Sequence, residues 1–443
     1  MPSFPYGKAA FSFVIMALIS GLFVTFHRVE SRKTTLTMWT FAETHYAAYR
    51  KAIPSFEAAH PGVTVKVEHV NGQAVTSRLQ AAFHANLNVP DVVEVEISSA
   101  GSFFRGPLEH VGFLDLTDRV KQSGLWDKMI QARFAPYMTH GRIFGLPHDV
   151  HPVMLACRRD LLEKAGVDMN RIETWDDFIK IGRKVTIPGK QYLLELSDSG
   201  TDNIEVMLFQ RGGGYFDPQG KCSFDNEIAV QTMLFYVPLV AGKDKIGSTL
   251  GANQILTQAV EQGYMLCLFA PDWRTKGLEQ DIPRMSGNMA LMPLPALKPG
   301  GLRTSTWGGT MLGITKKSEH PDLAWELAQH LYLDKPQLAE RFRDTNILPC
   351  LREAWNQAAF QEPRPYWSNQ KLGAMYAELA PQVPFQYSSP YIVTAKAKFG
   401  EALVSCVQYY NANGESGFEE YARKRLKQSA NEVRNLSARN PYQ

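Results

Sequence analysis

Glu94 and Glu96 stand two residues apart in Asp91-Val-Val-Glu-Val-Glu-Ile97. On a strand they share a face, with Cα atoms about 6.7 Å apart. That spacing suits the acid and nucleophile of a glycosidase, provided both face a cleft. The same pattern also describes a polar strand face turned to solvent or to a helix. His148 and His151 in Pro147-His-Asp-Val-His-Pro152 hint at a metal pair. No third ligand stands at a sensible spacing, so neither a metal nor a cofactor is expected. The chain has no Walker A loop, H-E-x-x-H or G-x-S-x-G motif to supply another catalytic reading. Its cysteines (Cys157, Cys222, Cys267, Cys350 and Cys406) are widely spaced and form no C-x-x-C pair. A zinc site or a disulfide framework is therefore not expected, and Cys157 and Cys267, in apolar strand-like runs, read as buried free thiols.

The elements around these residues favour binding over catalysis. Leu36-Thr-Met-Trp-Thr40, Val63–Val70 and Asp91–Ile97 read as strands, and 44–60 and 75–85 as helices between them. Pro54 should kink or shorten the first helix. Strands separated by helices predict parallel βαβ units with right-handed crossovers. Ligands of such sheets sit at the carboxyl ends of the strands. Trp39-Thr-Phe-Ala-Glu43 and Ser98-Ser-Ala-Gly-Ser102 fall on that edge, so Trp39, Glu43, Ser98 and Ser99 are candidate contacts. Further on, strands are expected at 142–147, 152–157, 264–269, 289–295 and 310–315. Helices are expected at 175–185, where Thr174 and Asp177 make a capping box, at 204–210 and at 322–333. Asp198, Thr201 and Asp202 form a polar loop before the 204–210 helix; Asp198 is a candidate contact, and helix capping explains the loop equally well. The stretch 428–443 reads as a polar, fraying tail.

Of the 443 residues, 44% are apolar and 21% charged, which excludes a disordered chain and allows two or three domains. The net charge of +3 resides in residues 1–33; the remainder is neutral, which argues against a nucleic-acid partner. Ala9–Phe26 carries no charge and would span about 27 Å as a helix. No small-x-small cleavage site or lipoprotein cysteine follows it, so residues 1–33 read as a signal peptide or membrane anchor with a linker, an uncleaved anchor being favoured.

Four segments together resemble the extracellular solute-binding proteins of family 1, the sugar-type receptors of ABC importers. They are Phe56-Glu-Ala-Ala-His-Pro-Gly-Val63 leading to Pro90-Asp-Val-Val93; Gly141-Arg-Ile-Phe-Gly-Leu-Pro147 with Arg159–Gly166 and Thr174-Trp-Asp-Asp-Phe178; Gly263-Tyr-Met-Leu266 with Pro271-Asp-Trp273; and Trp307–Ile314 with His320–Leu327. The resemblance implies an α/β, two-lobe periplasmic-binding-protein fold of type II-like form, with a hinge and an interlobe cleft, preceded by an N-terminal hydrophobic helix. The first lobe would hold 34–145 plus 291–332 and the second 146–290 plus 333–427. The chain would cross near Gly145–Val150, Met292–Pro295 and Tyr332–Asp334.

It further implies an exported, monomeric binding protein that captures a sugar or polyol and delivers it to a membrane permease. The alternatives are a carbohydrate-active enzyme or a ligand-free envelope interaction protein on the same fold. Sugars need aromatic platforms for ring faces and carboxylates for the hydroxyl rim. By position in the family, Trp273 would be a platform with Asp272 beside it, and Asp149 and His151 would be polar contacts at a lobe crossing. Trp307, before two glycines, and Tyr391 complete the aromatic candidates. Arg105, Arg211 and Arg274 would admit an acidic sugar or a phosphate-bearing polyol.

Overall fold

The computed structural model of the chain describes residues 12–18, 20, 34–250 and 253–441. Residues 12–18 and 20 are helical; the rest of the expected leader or anchor lies outside the described residues. Among the described residues no helix is long and apolar enough to cross a membrane.

The first lobe begins with β1 (Thr34–Thr40), α1 (Glu43–Ala59), β2 (Val63–His69), α2 (Gly72–His84) and β3 (Val92–Glu96). β1 pairs in parallel with β2 and with β3, Met38 lying opposite Val67 and Val92, as alternating strands and helices predict. α1 runs through Pro54 without ending there. β4 (Leu146–Pro147) and β10 (Thr310–Ile314) complete this sheet in the spatial order β2-β1-β3-β10-β4, β10 running antiparallel to both neighbours. Both faces are covered. Val92 joins the core under α1, whereas Val93 and Val95 join the core that holds Val75 and Leu79 of α2.

The second sheet has the order β9-β5-β8-β6-β7, from β5 (Val153–Arg158), β6 (Tyr192–Glu195), β7 (Gly247–Ser248), β8 (Met265–Pro271) and β9 (Met289–Pro293). One face carries α3 (Trp175–Val185), α4 (Asp202–Gln210), α5 (Glu227–Val240) and the long hairpin of α9 (Ile392–Asn413) and α10 (Phe418–Ser437). α3 has the capping box read from Thr174 and Asp177. The expected fraying tail is instead largely helix: α10 runs to Ser437 because Leu426, Ala430 and Val433 recur at helical spacing and bury their side chains in the second core. Cys157 and Cys267 face each other across β5 and β8, buried and free.

The lobe boundaries shift from those expected. β4 still pairs with β10 in the first sheet, so the first crossing is 148–152 rather than starting at Gly145. β9 pairs with β5 in the second sheet, and Ser305 Oγ still donates to the Val206 carbonyl, so the return crossing is 306–309 rather than near Met292. After α7 (Pro321–Leu333), α8 (Lys335–Thr345) continues past Asp334, and Asn346–Leu351 runs beside the first crossing, Pro349 bridging Asp149.

Glu94 lies at the centre of the first lobe, fully buried. Its carboxylate accepts from Thr40 Oγ1 at 2.5 Å, from Tyr332 at 2.6 Å and from Tyr49, and lies 3.0 Å from His45 Nδ1. Burial alone would raise its pKa; His45, by charge and by hydrogen bond, and the Thr40 hydroxyl outweigh burial and hold it at about 2. The unfolded chain takes up this proton near the ordinary value of 4.5. The contribution of Glu94 is therefore full above about pH 4.5 and is lost as pH falls toward 2. Glu94→Gln should lower the denaturation midpoint at pH 7 and flatten the acid limb of stability against pH. Thermal unfolding of both proteins from pH 7 to 2.5 checks this; parallel acid limbs would show that Glu94 carries none of it.

Candidate functional site

A cavity of about 460 Å³ lies between the lobes, within the range of small-molecule sites. The first lobe contributes Phe41, Ala42, Thr44 and His45 from the end of β1 and the start of α1, and Glu96, Ile97 and Ser98 from the end of β3. The second lobe contributes Asp202, Glu205 and Phe209 of α4, Tyr215, Trp273 at the start of α6 (Asp272–Asp281), and Lys396 of α9. The crossings supply His151 and Thr306–Gly309, and the strap before α9 supplies Gln386, Tyr387 and Ser388. The wall combines aromatic rings (Phe41, Phe209, Tyr215, Trp273, Trp307 and Tyr387) with charged side chains (Glu96, Asp202, Glu205 and Lys396). Trp273 and Trp307 meet edge to face with ring centroids 5.6 Å apart, and Trp273 Nε1 donates to the Trp307 carbonyl at 3.1 Å. Trp273 is still 38% exposed, so its ring is open to the cavity. Two glycines make room after Trp307. Gly308 has φ 89°, and a side chain there would press on Trp273 and His151; one at Gly309 would strike Arg133.

In the same cavity, Lys396 Nζ lies 3.1 Å from Glu205, which also accepts from Thr201 Oγ1 and Tyr215 OH. Burial raises the pKa of Glu96, although Ser98 donates to it and Lys396 attracts it; burial and then Glu205 raise that of Asp202. Burial would lower the pKa of Lys396, but Glu205, Asp202 and Glu96 outweigh burial and raise it.

Beneath the cavity the crossings are pinned by charge. His151 Nε2 lies 3.0 Å from Asp149, and its Nδ1 meets Asp272. Burial alone would lower the pKa of His151; the two carboxylates raise it to about 9, so the ring is an imidazolium donating to both. Burial would raise the pKa of Asp149, yet His151 and His148 hold it well below the usual range. Burial pushes His148 down to about 3, aided by Arg341 and His45, so it stays neutral. Arg133, itself buried, donates to the carbonyls of Asp149 at 3.1 Å and Gly308 at 2.7 Å and to Thr306 Oγ1 at 2.7 Å, joining two crossings. Asp272 also accepts from the backbone N–H of Leu348 and of Trp273, each at 2.7 Å, so the third passage and the indole platform hang on the same carboxylate.

The expected site residues divide accordingly. Ser98, His151, Trp273 and Trp307 line the cavity. Asp149 and Asp272 do not; they lie fully buried under it, as partners of His151. Trp39 stays within β1, its Nε1 donating to the cross-strand neighbour Glu68 at 3.1 Å, and Phe41, just past the strand's end, stands at the wall. Glu43 points outward to His69 at 3.0 Å. Ser99 accepts from Thr76 at 3.1 Å instead of facing the cavity. Asp198 lies off the cavity with its N–H on Thr249; Asp202 and Glu205, further along the chain on α4, face it. Tyr391 is packed in the second core with the Arg105 guanidinium 5.7 Å over its ring, and Tyr387 lines the cavity in its stead. Arg211 and Arg274 are also engaged elsewhere, over Phe235 and over Trp307 at 5.3 Å, Arg274 lying 3.6 Å from Glu195. His148, His45 and Glu94 offer metal-type ligand atoms within 4.8 Å of one another, a grouping invisible in the spacing of residues 148 and 151. The hydroxyls of Thr40, Tyr49 and Tyr332 already occupy the Glu94 oxygens.

Residues 42–338 match the sequence profile of the bacterial extracellular solute-binding proteins. The chain belongs to this family. As a solute-binding protein it is 31% identical over 304 residues to the arabinooligosaccharide-binding protein of Bacillus subtilis (strain 168), covering 67% of this chain and 69% of that one. It is 25% identical over 365 residues to the lactose-binding protein of Rhizobium radiobacter, covering 79% and 82%. Among solved structures, the sugar-binding protein MalE from Xanthomonas citri superposes with a TM-score of 0.73 at 18% identity, covering 91% of this chain and 99% of that one. An extracellular solute-binding protein of family 1 superposes with a TM-score of 0.74 at 21% identity, covering 90% and 99%. These last two likenesses establish the two-lobe α/β fold of this solute-binding protein.

His151→Asn keeps a residue type that tolerates the positive φ of 54° but leaves Asp149 and Asp272 without their cation. It should cost about 3–5 kcal/mol at pH 7, the scale for breaking a buried ion pair. The His151 pKa is raised by folding, so its contribution is full below about pH 6.5 and is lost as pH rises through about 9. Denaturant unfolding of both proteins between pH 6 and 10 reads this; a variant that keeps the alkaline slope would refute the role given to His151.

Proposed function

We propose that this protein captures a saccharide in the interlobe cleft, outside the cytoplasm, and delivers it unchanged to the permease of an ABC importer. The observation that carries the reading is the open Trp273–Trp307 corner sharing one interlobe cavity with hydrogen-bonding carboxylates, Glu96 from the first lobe and Asp202 and Glu205 from the second. A sugar presents an apolar ring face to such a platform and hydroxyls to such acceptors. The names of the relatives point to neutral oligosaccharides as the ligand class. Ser98, His151, Trp273 and Trp307 are the proposed contacts among the residues first singled out, joined by Asp202, Glu205, Tyr387 and Lys396. Crossings that meet at one buried network suit a hinge, and lobe closure around the ligand is the signal a permease would read.

In this reading the protein acts as a monomer and catalyses nothing. The carboxylate pair whose sequence spacing suggested a glycosidase is divided, Glu96 facing the cavity and Glu94 sealed in the first lobe. Residues 1–33 would direct export and then either be removed or hold the protein at the membrane.

A thermal-shift and calorimetric screen with arabino-oligosaccharides, lactose and maltose tests this directly. One of them should raise the melting temperature and be recovered intact. Trp273→Ala should weaken its binding about tenfold or more. Equal affinity in that variant would overturn the platform, and hydrolysed ligand would favour the enzyme.

A further inference from the structure

The acidic and basic side chains around the cleft do not balance. Asp149 and Asp272 are matched by His151 and Arg133 beneath the floor. Glu195 is matched by Arg274 behind Trp307. The cavity wall itself carries Glu96, Asp202 and Glu205 against the ammonium of Lys396, already 3.1 Å from Glu205, while the His45 ring in the wall is engaged by Glu94 at 3.0 Å. Glu96 takes its hydrogen bonds from Ser98 and has no cation of its own. Both hydrogen-bonding nitrogens of His151 are spent on the floor carboxylates, so it offers no donor to an anion. None of Arg105, Arg211 and Arg274 lines the cavity.

Building on the reading of the cleft as a saccharide site, we propose that it selects by charge: an amine-bearing saccharide is bound more tightly than its neutral counterpart, and a uronate is excluded. An ammonium placed between Glu96 and Asp202 would neutralise two carboxylates that share one low-dielectric cavity. The aromatic corner adds to this, since ring faces attract cations as well as sugar faces. A uronate carboxylate would meet the same two groups as like charge with only Lys396 to receive it, and Lys396 would have to leave Glu205.

Isothermal titration of the full chain with two matched disaccharide series tests this. Each series, one on lactose and one on cellobiose, comprises the neutral parent, the 2-amino sugar, its N-acetyl form and the corresponding uronate. The free amine should bind about tenfold or more tighter than the N-acetyl form and the parent, with the uronate weakest. Glu96→Gln combined with Asp202→Asn should abolish that ranking, the amine, its N-acetyl form and the parent then binding within about twofold of one another whatever the change in absolute affinity. A neutral parent that binds as well as its amine, or a ranking that survives in the double variant, overturns the charge selection and leaves saccharide capture standing. Binding by no member of either series overturns the charge selection, while the saccharide reading stands or falls separately on the arabino-oligosaccharide, lactose and maltose screen.

Discussion

The cleft depends on one imidazolium. His151 sits where the chain first passes between lobes, in a backbone conformation that few residues with a side chain adopt, and is clasped by Asp149 and Asp272. Two carboxylates cannot lie buried this close together without a cation between them. With the cation in place, the same carboxylates organise everything around them. Asp149 receives His148 and faces Arg133, and Asp272 receives the backbone of Leu348 and fixes the first turn of the helix that presents Trp273. A charge network that costs desolvation is thus used to fix position, and the position is that of the binding platform.

Apolar burial does not stop at the lobe boundary: one core runs from Leu36 and Met38 of the first sheet through Val150, Phe342 and Leu348 to Met154 and Leu268 of the second. The crossings add directional contacts to it: Arg133 on Thr306 and Gly308, and Cys350 on the Asp149 carbonyl. Directional bonds of this kind define a few discrete arrangements better than a greasy contact does, which is what a hinge between rigid lobes requires. The ligand wall is drawn from both lobes and from the crossings, so lobe movement and ligand contact are mechanically one event.

Much of this was legible beforehand. Periodicity alone revealed the parallel β1, β2 and β3 with their helices, and the rule that ligands sit at strand carboxyl ends located the first-lobe wall from Phe41 to His45 and from Glu96 to Ser98. What it could not resolve was direction at single-residue scale. Trp39 and Phe41 lie two apart, and the end of β1 between them decides which reaches the cavity. Asp198 and Asp202 share one polar loop, but only the second enters the helix whose face looks into the gap. Lys396 was missed because a lysine on a long helix ordinarily means a solvated face, and its burial depends on the other lobe. Asp149 and Asp272 lie beneath the cleft as partners of His151, and nothing local in the sequence reveals that a histidine will bridge residues more than a hundred positions apart. Leu426, Ala430 and Val433 did carry a signal, helical spacing inside a polar stretch, that overall polarity concealed.

The arrangement of the crossings turns on the charge state of the His151 ring. Nitrogen-15 NMR of histidine-labelled protein, with His151→Asn to assign the resonance, reports whether both ring nitrogens carry protons. The structure calls for His151 doubly protonated at pH 7.5, with both N–H protons slow to exchange and titration only near pH 9. A ring that loses its proton near pH 6.5 would mean that Asp149 and Asp272 are held together by something else, and the hinge described above would have to be rebuilt around it.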